Sequence, residues 1–345
     1  MTKMNVLSLF DGISCGRLAL ERANIKVDNY YSSEIDKYAL KIAGKNYPED
    51  IENRLGDIIK IDENILSKLP KIDIFIGGSP CQGFSFAGKQ LNFEDPRSKL
   101  FFEYIRLLKE IKPKYFLLEN VKMKKEYLDT ISGHLELEPI LINSSLVSAQ
   151  NRNRFYWTNI PNIEQPKDKN IQLSDILESG VVDRYKSYCL DANYFKGGNL
   201  KQYFEKSRRQ LVFKAKNGKA VTINQEDILN PKTFYETRTE FGKSERKRLS
   251  KLKGRDTTPR DKKSKHYVPQ IHSKANCIVT VDSFLNWVID KDYYCRKLTC
   301  IECERLQTIP DNYTEGMSNT QRYKCIGNSW TVDVIAHIFK EIKND

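Results

Sequence analysis

The stretch VLSLFDGISCG (Val6–Gly16) decides how this chain is read. A short apolar run, Val6–Phe10, breaks at Asp11-Gly12, and helical spacing follows at once over Ser14–Arg22, carried by Gly16, Leu18 and Leu20. Strand, glycine-containing turn and helix in direct succession make a nucleotide-binding arrangement, because glycine lets backbone approach a ligand closely. The turn is not GxGxxG, so the dinucleotide fingerprint is absent. The same alternation recurs downstream. Asn29–Ser33 predicts a second strand, followed by a helix over Asp36–Ala43. Ile72–Ile76 is a continuous apolar run ended by Gly77-Gly78, Leu100–Lys109 reads as a helix, and Tyr115–Leu118 as another buried strand. Ile140–Val147 and Phe155–Thr158 are later strand candidates. Unbroken apolar runs suit strands covered on both faces, and their alternation with helices implies crossovers and a mostly parallel sheet.

Of 345 residues, 39% are hydrophobic and 30% charged, enough for a sizeable core in a soluble chain. No run approaches the ~18 apolar residues of a membrane span, and the N-terminus lacks an export signal. The expectation is therefore a cytoplasmic protein rather than a secreted, membrane-spanning or fibrous one. The eight cysteines are too sparse for a disulfide scaffold, so any special thiol is expected to be catalytic or metal-bound. Cys295, Cys300 and Cys303 lack a second CxxC or a His pair, and no metal is expected. The net charge of +12 is unevenly spread: +2 over residues 1–160, +11 over 161–268 and −1 over 269–345. Residues 241–267 alone hold 11 basic residues against 3 acidic ones. That middle block reads as a polyanion-binding module, whose bland alternative is a solvated surface. The irregular texture there predicts a separate basic domain. Order returns with a helix over Leu298–Gln307, opened by a capping box between Thr299 and Glu302, and a last helix, Val332–Ile342, after a turn at Gly327-Asn328-Ser329.

Successive strand ends carry polar groups suited to a nucleoside. Glu34 stands 22 residues past Gly12, where a carboxylate accepts hydrogen bonds from ribose hydroxyls. Asp57, after Gly56, can accept from an adenine amino group, and Phe10 can stack on the ring. In order, these point to an adenosine ligand and leave S-adenosylmethionine and NAD undistinguished.

The chemical groups follow the central strands. GGSPCQGFS (77–85) comes directly after the strongest apolar run, and Pro80 stiffens the approach to Cys81, so the thiol is presented. The alternative is a small buried cysteine. Glu119, at the end of the next strand, can have a raised pKa and donate a proton, or else cap a helix. Arg152 and Arg154 lie two apart and share a face on an extended segment, where they can hold an anion and favour a thiolate, or form a plain surface pair.

Taken together the motifs resemble the DNA (cytosine-5) methyltransferases. They are FDGISCG at 10–16, SSEID at 32–36, GD at 56–57, GGSPCQGFS at 77–85, ENV at 119–121, QNRNR at 150–154, RKLTCIECERLQTIPD at 296–311 and GNSWTV at 327–332, in the family's order. FDGIxxG and GNSW are similar to animal de novo methyltransferases and phage relatives, and depart from the FxGxG loop common in bacterial members. The resemblance implies an α/β fold: a Rossmann-like S-adenosylmethionine-dependent methyltransferase domain with a small, irregular target-recognition domain. It implies a catalytic domain at 1–164, a basic recognition domain at 165–310 and a C-terminal segment, 311–345, packed back on the first domain.

The implied activity is methyl transfer from S-adenosyl-L-methionine to carbon 5 of a flipped-out cytosine in a specific duplex DNA sequence. Cys81 is assigned as nucleophile, Glu119 to the nitrogen 3 edge, and Arg152 and Arg154 to holding the base. Cofactor contacts are implied for Phe10, Asp11, Gly12, Ser14, Gly16, Glu34, Ile35, Asp57, Ile58, Pro80, Leu100, Asn328 and Ser329. DNA contacts are implied for Ser85, Gln90, Arg97, Lys243, Arg246, Arg248 and Arg255, with Ser85–Arg97 a loop that closes over the base. The expected partners are double-stranded DNA and a cognate restriction endonuclease, with the chain a monomer at the nucleoid of a bacterial or phage-infected cell. The rival readings are a tRNA (cytosine-5) methyltransferase, a catalytically inactive DNA-binding homologue and an NAD-dependent oxidoreductase, the last disfavoured by the missing GxGxxG.

Overall fold

The structure, a computed structural model, describes residues 3–79, 96–197, 203, 206–215, 234–238, 265–269, 287–290 and 293–343. Six strands form the central sheet: β1 (Met4–Leu9), β2 (Val27–Ser33), β3 (Ile74–Gly77), β4 (Tyr115–Val121), β5 (Ile140–Asn143) and β6 (Asn153–Thr158). Their order is β2-β1-β3-β4-β6-β5. The first four are parallel, whereas β6 runs antiparallel to both β4 and β5.

Alternation along these strands builds two cores. Val6, Ile74, Ile76 and Leu117 face one side with α1 (Cys15–Arg22), α2 (Lys37–Asn46) and a C-terminal helix. Leu7, Leu9, Phe75, Leu118 and Trp157 face the other. There they meet α4 (Pro96–Ile111) and α5 (Lys125–Leu135); the short α3 (Glu63–Leu66) lies between α2 and β3 in the chain. A sheet covered on both faces is what the continuous apolar runs require.

The C-terminal part contains α6 (Cys300–Leu306), α7 (Asn319–Asn328) and α8 (Val332–Phe339). The capping box at α6 is present in full: Glu302 N–H donates to Thr299 Oγ1 (3.1 Å) and Thr299 N–H to Glu302 Oε2 (2.8 Å). The turn expected at 327–329 is corrected, since α7 runs through Asn328 and only Ser329 caps it. Helix α8 is buried along Val332, Val334, Ile335, Ala336, Ile338 and Phe339, packs on α1 and is tied to it by Arg22–Asp333 (2.5 Å).

Between β6 and α6 the irregular texture gives way in places to strands. A three-stranded antiparallel sheet joins β10 (Trp287–Asp290), β11 (Tyr293–Lys297) and β7 (Leu211–Ala215), and β8 (Phe234–Arg238) pairs with β9 (Lys265–Pro269). A third core gathers Ala149, Leu173, Ile176, Leu190, Tyr194, Val212, Leu298, Cys303, Leu306, Tyr323 and Ile326. It draws on residues from both sides of position 310.

Candidate active site

Register brings the chemistry to one edge. Leu9 lies opposite both Ser33 and Gly77, and Gly77 opposite Leu118. Residues 10–12, 34 and 78–79 therefore leave the sheet at its carboxyl end level with Glu119 and its neighbour Asn120 of β4, which stay paired to β6, and α/β folds bind ligands at this end.

The turn after β1 is conformationally demanding. Phe10 (φ 55°), Gly12 (φ 62°) and Ser14 (φ 60°) are all left-handed, and such residues cluster at functional sites. Asp11 holds the turn together, accepting from Ser8 Oγ (2.7 Å), Tyr30 Oη (2.6 Å) and Ser14 Oγ (2.6 Å). Burial pushes its carboxyl above the usual aspartate value, while these three hydroxyls oppose the shift. Asp11 and Ser14 thus direct their side chains at one another rather than outward. Gly16 has a packing role: a Cβ there would lie 2.5 Å from Ile76 Cδ1 and 2.9 Å from Tyr30 Oη. Glycine lets α1 sit directly on the sheet.

Glu34 reaches back across this turn. Its Oε2 accepts the Gly12 N–H (2.9 Å), and Oε1 accepts the N–H groups of Ile35 and Asp36 (2.7 Å each). Ser33 Oγ donates to Gly56 O (2.7 Å), which ties the end of β2 to the Gly56-Asp57 turn. Asp57 caps the next short helix through Ile59 N–H (3.1 Å). Ile35 is 72% exposed and Ile59 61%, whereas Ile58 is buried in the second core. Ile59 is an exposed apolar surface outside the sequence motifs, and nothing in the adjacent pair Ile58-Ile59 shows from sequence which of the two is exposed. Leu100, on α4, packs partly buried against the same core.

At the centre, Glu119 is 9% exposed and pairs with Arg154, Nε to Oε1 2.7 Å. Tyr156 lies opposite Glu119 in the β4–β6 register, so Arg154, two residues before it, is the diagonal same-face neighbour. Asn120 Nδ2 donates to Ser79 Oγ (3.2 Å), both buried, and fastens the end of β4 to Ser79, two residues before Cys81 in the sequence. Gly78 lies against this group: a Cβ there would be 3.1 Å from Glu119 Oε2 and 2.9 Å from Trp330 Nε1.

Arg152 is placed differently from the expected base-holding pair. It is 4% exposed, and its guanidinium donates to Leu190 O (2.8 Å) and Ser329 O (2.9 Å). A buried guanidinium must satisfy its donors, and here backbone carbonyls do so. Only Arg154 meets Glu119. Of the C-terminal pair, Asn328 is exposed and Ser329 buried, its hydroxyl in contact with the Cys15 thiol. Pro80, Cys81, Ser85, Gln90, Lys243, Arg246, Arg248 and Arg255 lie outside the described residues, as does the Ser85–Arg97 loop up to residue 95 and the Arg97 side chain.

A family model described as C-5 cytosine-specific DNA methylase matches residues 4–344. The chain belongs to this family. It is a DNA (cytosine-5) methyltransferase. Type II methyltransferase M1.ScrFI of Lactococcus lactis subsp. cremoris is 30% identical, over 99% of this chain and 78% of that protein. Orphan methyltransferase M.SPRI of Bacillus phage SPR is 28% identical, over 99% and 98%. The fold is similar to that of the Entamoeba histolytica methyltransferase EhMeth (TM-score 0.64, 18% identity, 99% and 98% covered) and of Spodoptera frugiperda DNMT2 (0.59, 18%, 98% and 99%).

For a methyltransferase of this family the thiols matter. Burial pushes Cys15 and Cys325 up to about 12 and Cys300 to about 11, and Cys303 well above its ordinary value. All four stay protonated at neutral pH and act as packing groups. Among the described residues no helix is long and apolar enough to cross a membrane.

Proposed function

We propose that this methyltransferase uses Cys81 as its nucleophile and S-adenosyl-L-methionine as its methyl donor. The observation that carries the reading is the buried Glu119–Arg154 pair, joined through Asn120 to Ser79, two residues before Cys81 in the sequence. Carbon 5 of cytosine is a poor nucleophile until a thiolate adds to carbon 6. As the Cys81 sulfur bonds to carbon 6, charge develops on the ring, and Glu119 meets it at nitrogen 3 with a proton or hydrogen bond. Arg154 keeps that carboxyl oriented. When bound, S-adenosylmethionine would supply the electrophilic methyl group for carbon 5, its methyl–sulfur bond breaking to leave the neutral thioether S-adenosylhomocysteine. Loss of the carbon 5 proton to a base and cleavage of the carbon–sulfur bond then restore the ring and free Cys81.

The residues present fit the donor. Glu34 keeps acceptor capacity beyond its three backbone contacts, Asp57 stands beside it through Ser33–Gly56, and Ile35 and Ile59 offer apolar surface for a ring. The left-handed Gly12 exposes the turn's backbone. The target base must leave the duplex to reach Cys81, at a cost of a few kcal/mol recovered from phosphate contacts. The basic block at 161–268 supplies these, with Ser85, Gln90, Arg97, Lys243, Arg246, Arg248 and Arg255 as contacts and residues 165–310 as the recognition domain. The type II relatives support a cognate restriction endonuclease, and the chain acts as a monomer on cytoplasmic DNA. A duplex with 5-fluorocytosine at the target, plus methyl donor, should trap a covalent adduct that mass spectrometry places on Cys81. Product accumulation without a crosslink, or normal turnover by Cys81→Ser, removes Cys81 from this role.

A further inference from the structure

Three parts of the chain meet at one buried polar seam. Gln150 Nε2 donates to Leu306 O (2.6 Å) and Gln307 Oε1 (2.8 Å), and its Oε1 accepts the Leu190 N–H (3.3 Å). Gln307 Nε2 donates to Ile326 O (3.0 Å) and Ser329 O (3.2 Å), and Thr331 Oγ1 donates to Gln307 Oε1 (2.9 Å). Arg152 closes the seam through Leu190 O and Ser329 O. None of these polar side chains is more than 7% exposed. Gly327 lies at the same place: a Cβ there would stand 2.3 Å from the Asp191 carbonyl carbon and oxygen, so the segment leading into the basic region crosses α7 at backbone contact.

Among the described residues no carboxylate pairs with Arg152, although it is deeply buried. A charge held by two carbonyl oxygens, with the Cys189 sulfur 3.5 Å away as a weaker third contact, fixes those carbonyls strongly, because hydrogen bonds from a charged donor are about twice as strong as neutral ones. The Ser329 carbonyl belongs to the residue whose hydroxyl meets Cys15, just past the left-handed turn after β1. We propose that Arg152 is a positioning residue for the cofactor side: it locks Ser329, and with it residues 328–331, against Leu190–Asp191, and does not hold the base. This rests on the reading of Asn328 and Ser329 as cofactor contacts.

The test separates cofactor affinity from chemistry. Binding of S-adenosylmethionine is measured by calorimetry without DNA, alongside methylation kinetics and thermal unfolding, for wild type, Arg152→Ala, Arg152→Lys, Gly327→Ala and Arg154→Lys. Arg152→Ala should weaken cofactor binding about ten- to hundredfold. It should raise the cofactor KM by the same factor and leave kcat at saturating cofactor within about threefold. Arg152→Lys, which can reach one carbonyl, should fall between, and Gly327→Ala should shift affinity the same way through a different atom. Arg154→Lys should keep cofactor binding and lose kcat. Unchanged cofactor affinity with kcat down by two orders of magnitude in Arg152→Ala would put the guanidinium on the base and overturn the proposal. A lowered unfolding temperature with unchanged affinity of the folded protein would overturn it too. If Arg152→Ala does not fold, unchanged affinity in both Arg152→Lys and Gly327→Ala is the refuting result. A wild type that binds no S-adenosylmethionine defeats the underlying functional reading instead.

Discussion

Replacing Gly78 with alanine adds one methyl group beside the Glu119 carboxylate, which is proposed to meet the target base. Gly78 does not use the left-handed backbone region, so the whole effect is contact. The new Cβ would stand 2.9 Å from Trp330 Nε1 and 3.1 Å from Glu119 Oε2, where ordinary contact starts at 3.4 Å. The indole must yield by about 0.5 Å and the carboxylate by about 0.3 Å. Neither is free to do so. Trp330 packs on the first core, and the other Glu119 oxygen is held 2.7 Å from Arg154 Nε. Overpacking of this kind costs about 1–3 kcal/mol, a fall of several degrees in unfolding temperature at roughly 2–4 °C per kcal/mol. Misplacing a reacting group by 1 Å costs on the order of a hundredfold in rate. A shift of about a third of that distance should slow single-turnover methylation of duplex DNA by roughly fourfold. Radiolabelled methyl donor and a thermal melt measure both effects. An alanine variant with wild-type single-turnover rate and unchanged melting would refute the close packing of Glu119 against this turn.

Gly133→Ala, inside α5 with nothing within 4 Å of the new Cβ, should stabilise by about 0.5–1 kcal/mol without changing activity, read as a higher urea midpoint. Arg322→Met leaves the Glu304 carboxylate, 0% exposed, without the guanidinium 3.0 Å away; a loss of about 3 kcal/mol is expected, softened by the Asn312 and Thr314 donors, and a loss below about 1 kcal/mol would count against it. Burial, with Glu49 adding, pushes Asp50 up to about 6 despite its contact with Arg17 (3.2 Å). An unfolded aspartate titrates near ~3.9. The folded state therefore binds the extra proton between those values, and this group's contribution to stability falls as pH rises from about 4 to about 6 and is level above. Relative to Asp50→Asn, the wild type should lose stability over that window in urea titrations; a constant or opposite difference defeats the assignment.

What the sequence could show depended on distance along the chain. β1, β3 and β4 were legible because strands buried on both faces carry unbroken apolar runs; Glu119 follows from the end of such a run, Glu34 and Asp57 from the ends of shorter segments, and Arg154 from its two-residue spacing to Arg152. Helix α7 was not, because residues 319–328 carry few apolar groups and end in a glycine-bearing stretch that imitates a turn. Helix α5 has Lys124 at its N-cap, with no side chain capping it, and so gave only the weak start signal of Glu126 in its first turn. Strands β7 and β11 meet across some eighty residues of chain, beyond any local pattern. Arg152 shows the limit most sharply. Spacing assigns it a face shared with Arg154, but its partners come from positions 190 and 329, and only the folded chain brings those carbonyls to it.

The packing of α8 on α1 has a consequence for biosynthesis. The first core gathers Val6, Leu18 and Leu20 with Val334, Ile335 and Phe339, so its earliest and latest contributors are translated more than three hundred residues apart. On the ribosome β1 and α1 wait with their oily side uncovered until α8 clears the exit tunnel. Emergence of α8 is then the moment at which this core can first close, and nascent chains stalled before Val332 should be trapped by chaperones that recognise exposed apolar surface.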